Sequence, residues 1–114
     1  MSADCLFCKI SAKKIPSKIV YEDPDVFAFE DIGPQAPTHL LICPRKHIVS
    51  LENATNEDEL MLGHLQTVAT KLARERKLTE GFRTVINTGR NAGQSVLHLH
   101  LHLLGGRSMR WPPG

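Results

Sequence analysis

The 114-residue chain reads as one α+β domain, with a five-stranded antiparallel sheet, one long helix and a short N-terminal helix. Three observations lead there. Leu97-His98-Leu99-His100-Leu101-His102-Leu103-Leu104 alternates with the period of a half-buried strand. Short runs rich in Val, Ile and Phe are punctuated by Pro- and Gly-containing turns. A single stretch after Thr55 carries apolar residues at helical spacing, and short connections favour antiparallel pairing.

In chain order, Cys5 to Lys14 can form a short helix ended by Pro16, with Leu6, Phe7 and Ile10 as apolar contacts. Ile19-Val20-Tyr21 is a brief strand, and Asp23-Pro24-Asp25 a turn. A strand from Val26 to Glu30 puts Phe27 and Phe29 on one face, with Asp31 next in that alternation. Gly33-Pro34-Gln35-Ala36-Pro37 is a stiffened loop, and Thr38 to Cys43 a nearly all-apolar central strand stopped by Pro44. Thr55 and Asp58 make a capping-box start for a helix bearing Met61, Leu65, Val68 and Leu72 on one face, expected to stop near Gly81. Phe82 to Thr88 is another strand, with Asn87 at its end, and the Gly-rich stretch Gly89 to Ser95 leads into the histidine strand.

Composition excludes several classes. No apolar run approaches the roughly 18 residues of a membrane span. Met1-Ser2-Ala3-Asp4-Cys5 has neither the basic nor the apolar region of a secretory leader, so the expected address is cytoplasmic, with the nucleus as a further option. Net charge is only +2, and the one basic cluster, Lys71, Arg74, Arg76 and Lys77, falls where cations complement a helix dipole. Nucleic acid and membrane are therefore not expected partners. Three cysteines without a leader do not suggest a disulfide framework.

The chemistry sits on the alternating strand. Side chains two residues apart share a face, so His98, His100 and His102 would stand together, about 6.5 Å apart, with Leu97, Leu99, Leu101 and Leu103 opposite. A uniform histidine face admits a solvated surface, a metal site, or nucleophilic and acid–base chemistry, since imidazole titrates near neutrality and forms covalent intermediates. In the loop before it, Gly89 and Gly93 let backbone amides approach a phosphate, and Gln94 and Ser95 add donors. A flexible turn would explain the same residues. Cys5-Leu6-Phe7-Cys8 is a lone C-x-x-C pair that needs two further ligands from elsewhere to close a metal site. Cys43, inside an apolar strand, reads as core.

His98 to Leu104 is also the full motif His-φ-His-φ-His-φ-φ, with φ apolar, and resembles the histidine triad (HIT) nucleotide hydrolases and transferases. Asp31-Ile32, Thr38-His39, Gly93-Gln94-Ser95 and the ending Gly105-Gly106-Arg107 through Trp111-Pro112-Pro113-Gly114 are similar to the Hint branch, the purine nucleoside phosphoramidases. The resemblance covers nearly all of the chain. It implies a single HIT domain over residues 1–114, a homodimer whose sheets join across a two-fold axis, and a tail, 105–114, that reaches the partner subunit.

The same resemblance implies a set of roles. His100 attacks the α-phosphorus of a nucleoside phosphoramidate or acyl-adenylate, oriented by the His98 carbonyl, and the nucleotidyl-imidazole is then hydrolysed to AMP. His102 and His39 contact phosphate oxygens, Ser95 hydrogen-bonds the departing atom, and Asn87, Gly93 and Gln94 lie nearby. Asp31 holds the ribose hydroxyls, and Leu6, Phe7, Ile10, Phe29 and Ile32 line the base pocket. Trp111 shapes the leaving-group side of the partner's site. Cys5, Cys8, His47 and His98 hold a structural zinc, and catalysis needs no cofactor. Alternatives are a dinucleoside polyphosphate hydrolase, a nucleotide- or zinc-binding regulatory scaffold, and a zinc hydrolase using all three triad histidines on one metal.

Overall fold

Alternation along the strands divides the side chains of one sheet between two cores. In the computed structural model, which describes residues 4–114, the elements are α1 (Leu6–Ser11), β1 (Ile19–Glu22), β2 (Val26–Glu30), β3 (Thr38–Pro44), α2 (Glu59–Glu75), β4 (Phe82–Val85) and β5 (Leu101–Gly105). Met1-Ser2-Ala3, part of the stretch read as lacking a leader, lies outside the described residues. The strands form one sheet in the order β1-β2-β3-β5-β4, every pair antiparallel. This is the expected α+β architecture.

Val26 and Ala28 of β2, Leu40 and Ile42 of β3, and Leu101 and Leu103 of β5 pack with Leu65, Val68, Ala69 and Leu72 of α2. The alternate residues Phe27, Phe29, Leu41 and Cys43 pack with Cys5, Phe7, Cys8 and Ile10 around α1. Each face thus has its own helix, and His39, which alternates with Leu41 and Cys43 along β3, belongs to the α1 side. Among the described residues no helix is long and apolar enough to cross a membrane.

Both helices stop earlier than the sequence suggested, and for the same reason. After α2, Lys77 adopts φ 58°, its N–H donates to the Arg74 carbonyl at 3.0 Å, and the Leu78 N–H reaches back to the Ala73 carbonyl at 3.0 Å. After α1, Lys13 at φ 60° and Lys14 repeat the arrangement on Ile10 and Lys9, at 2.9 Å each. These are Schellman endings with lysine in the left-handed position where glycine is usual. Gly81, at φ 122°, instead serves the turn into β4. The Thr55–Asp58 capping box forms, but on a 3₁₀ turn, Asn56–Asp58, that feeds α2.

The histidine segment also departs from a simple strand. Residues 96–98 bend, and ladder pairing on β3 runs only from Ile42↔Leu101 to Thr38↔Gly105. Beyond Ile42 other contacts replace the ladder: the His98 ring donates to the Pro44 carbonyl at 2.7 Å, and the Leu99 N–H donates to the Ile48 carbonyl at 2.6 Å. Leu99 still packs in the α2 core, but Leu97 is 63% exposed and is not part of it. β4 ends at Val85, opposite His102, so the strand expected to continue to Thr88 is shorter.

Candidate active site

The three triad histidines share the α1 face of the sheet, where Phe7 meets both His98 and His100 edge to face, but they enter two clusters. His98 joins Cys5, Cys8 and His47, whereas His100 and His102 lie together, ring centroids 5.0 Å apart. They line a cavity of about 320 Å³ between α1 and the sheet, with Leu6, Phe7, Ile10, Phe29, Asp31, Ile32 and Ser95. Ile15, Pro16, Ser17, Leu41 and Val96 line it too, and sequence reasoning passed over them. Leu41 was findable, because it shares a strand face with His39 and Cys43; Ile15 and Pro16 needed the early end of α1.

Each triad ring has its proton placed by a neighbour. The His98 Nε2–H donates to the Pro44 carbonyl, leaving Nδ1 bare. The His100 Nδ1–H donates to the His98 carbonyl at 2.7 Å, leaving the lone pair on Nε2. Phe7 meets the His100 ring edge to face, 5.0 Å between centroids at 84°, so the imidazole is held by packing as well. His102 Nδ1 lies 2.9 Å from His39 Nε2. Burial lowers the pKa of His102 to about 4, helped by the charges of His100 and His39 and opposed by Asp31. Burial likewise lowers His98 and His39.

Asp31 carries one oxygen 2.8 Å from the Gly33 amide, which donates to it, and the other 3.4 Å from His39 Nε2. Leu6 of α1 and Ile32 in the loop after β2 are exposed apolar residues at the cavity, Ile32 completely so. Ser95 is exposed and lines the same space. His39, Asn87, Gly93, Gln94 and Trp111 are not among the lining residues. His39 stands behind His102, and Trp111 is 82% exposed. The Gln94 side chain is occupied within its loop: it accepts from the Gly89 N–H and donates to the carbonyls of Val49 and Val96.

Beside the cavity, Cys5, Cys8, His47 and His98 bring four ligand atoms within 4.8 Å of one another. Cys5 Sγ and Cys8 Sγ lie 3.3 and 3.5 Å from His98 Nδ1, Cys8 Sγ lies 3.3 Å from His47 Nδ1, and the two Nδ1 atoms are 3.2 Å apart. A tetrahedral zinc with ordinary bond lengths has N···N and N···S edges of about 3.3 and 3.5 Å. The donor set therefore fits a metal ion and is compatible with zinc. The Pro44 carbonyl supplies the outer contact that fixes a ligating imidazole in its tautomer. Cys43 is buried and its thiol is pushed well up, chiefly by that burial.

A backbone-oriented imidazole delivered by an antiparallel sheet into a largely apolar cavity defines the histidine-triad class of α+β protein. The family model described as HIT domain matches residues 12–109, and the chain belongs to that family. It is 54% identical over 114 residues, all of both chains, to an uncharacterised HIT-like protein of Synechococcus elongatus. Among solved structures it is similar to a HIT family hydrolase from Legionella pneumophila, with a TM-score of 0.95 and 51% identity over 97% of this chain and 100% of that one. It is also similar to a histidine triad nucleotide-binding protein from Candida albicans, with a TM-score of 0.81 and 34% identity over 96% of this chain and 83% of that one.

Proposed function

We propose that the chain is a purine nucleoside phosphoramidase working as a homodimer: it cleaves the P–N bond of adenosine 5′-phosphoramidates, and acyl-adenylates similarly, releasing AMP. One observation carries the reading. His100 is tied through Nδ1–H to the His98 carbonyl, which leaves its Nε2 lone pair as the nucleophile on a ring lining the cavity. The names of the Legionella hydrolase and the Candida nucleotide-binding protein support hydrolysis and a nucleotide ligand.

In the proposed reaction, the His100 Nε2 electron pair forms a bond to the α-phosphorus as the P–N bond breaks. The departing nitrogen takes a proton from solvent, relayed by Ser95 as its hydrogen-bonding partner. Water then adds to phosphorus and returns a proton to solvent as the P–imidazole bond breaks, and AMP leaves with His100 restored. His102 and the amides of the 89–95 loop donate to the phosphoryl oxygens. Asp31 accepts from the ribose hydroxyls, and Leu6 and Ile32 flank the flat base at the rim.

Cys5, Cys8, His47 and His98 would hold a zinc ion as a closed four-ligand site, whose contribution is to clamp α1 and the bend at His98 to the end of β3. The tail from Gly105 would carry Trp111 to the partner's leaving-group side, and the protein would work in the cytoplasm. Replacing His100 with Ala and following AMP release from a fluorogenic adenosine phosphoramidate tests the assignment. Turnover should vanish; near-normal turnover would overturn it. Comparison with a diadenosine polyphosphate separates this activity from a dinucleoside polyphosphate hydrolase.

A further inference from the structure

His39 is only 6% exposed, yet both of its ring nitrogens are spoken for. The main-chain N–H of Gln35 donates to Nδ1 at 3.0 Å, and only a bare ring nitrogen can accept it. An imidazole bare at Nδ1 must carry its proton on Nε2, which lies 2.9 Å from Nδ1 of His102. The Asp31 oxygen at 3.4 Å is the more distant acceptor. The upstream end of this chain is pinned as well, since the Arg107 Nε–H donates to the Gln35 carbonyl at 2.9 Å. Gly106 lets the start of the tail press onto that loop: a Cβ there would meet Pro37 Cβ at 2.9 Å.

We infer that His39 is a positioning residue: it donates from Nε2–H to Nδ1 of His102 and so locks the remaining proton of His102 on Nε2, as a donor toward the cavity. The hydrogen bonds run one way, from the Gln35 amide through His39 and His102 to the ligand. The lowered pKa of both rings agrees with neutral imidazoles in this relay. Asp31, His39 and His102 also lie close enough to share a metal. Ligation through His39 Nε2 would move its proton to Nδ1, against the Gln35 N–H, so the relay is the better account of the cluster. The catalytic consequence rests on the proposed phosphoryl chemistry; the proton placement does not.

Long-range proton–nitrogen spectra of ¹⁵N-labelled protein at neutral pH read the proton placement without any substrate. Both rings should show a bare Nδ1 and a protonated Nε2, with a trans-hydrogen-bond coupling between His39 Nε2 and His102 Nδ1. A proton on Nδ1 of either ring, or absence of the coupling, would overturn the inference. In turnover assays, His39→Leu should lower kcat about tenfold to a hundredfold with KM little changed, the scale of an impaired transition-state donor. His39→Gln, whose amide N–H can take the place of Nε2–H, should recover most of that loss. A folded His39→Leu protein with the wild-type kcat would overturn the role. If the wild type cleaves no phosphoramidate, the functional reading fails while the spectra still decide the proton placement.

Discussion

Acidification should destabilise this fold, and His102 should account for a measurable share. The folded ring has a pKa of about 4 because burial disfavours its charged form, whereas in the unfolded chain the value is about 6.5. Between those values the unfolded chain binds a proton that the folded one refuses, so stability rises with pH across the window. The contribution is intact above about pH 6.5 and lost as the pH falls to about 4. At about 1.4 kcal/mol per pH unit the full gap amounts to roughly 3.5 kcal/mol, and solvent screening of the part-exposed ring reduces it to about 1–2 kcal/mol. Urea unfolding of the wild type and His102→Gln at pH 7 and near pH 4 measures it. The wild type should lose about 1–2 kcal/mol more than the variant. Equal losses would refute the reasoning, since the other buried histidines are common to both proteins.

Further outcomes follow from the metal cluster, the helix ends and the tail. Cys8→Ser should lower bound zinc, read by elemental analysis, and drop the thermal midpoint by about 5 °C or more, the scale of losing a structural ligand. An unchanged metal content would contradict the four-residue site. Lys77→Gly should stabilise the protein by about 0.5–1 kcal/mol in urea unfolding, because it relieves an L-residue held at φ 58°. A loss of stability would show that the lysine side chain matters more than its backbone. Deleting Met109 to Gly114 should change relative rates across several amide substrates while leaving the urea midpoint nearly unchanged; identical relative rates would count against a leaving-group role for the tail.

What the sequence disclosed and what it hid have separate physical causes. The strands of the sheet were legible because alternation on Val26–Glu30 and the apolar run at Thr38–Pro44 are local signals with a fixed period. The helix ends were not, because the residues taking the left-handed conformation are Lys13 and Lys77, and nothing in a lysine announces a positive φ. The histidine face formed, with Leu99, Leu101 and Leu103 opposite it in the α2 core, but its division between two clusters was hidden because that depends on a residue distant in the chain. Pro44 was expected to stop its strand, but it lies more than fifty residues from His98, and only the tertiary structure shows that its carbonyl captures that ring. That capture is what separates a metal-cluster imidazole from the pair at the cavity. For Gln94 the residue type suggested a phosphate donor, whereas the loop uses its amide to hold itself together.

The claim on which the function depends is that His100 bonds covalently to phosphorus. The most direct measurement is rapid acid-free quenching of the wild-type protein during turnover of an adenosine phosphoramidate, followed by peptide mass spectrometry. A nucleotidyl group on the imidazole of His100, absent from the His100→Ala protein, is the predicted result. Continued AMP release with no adduct on His100, or an adduct on His102 or Ser95 instead, would contradict it.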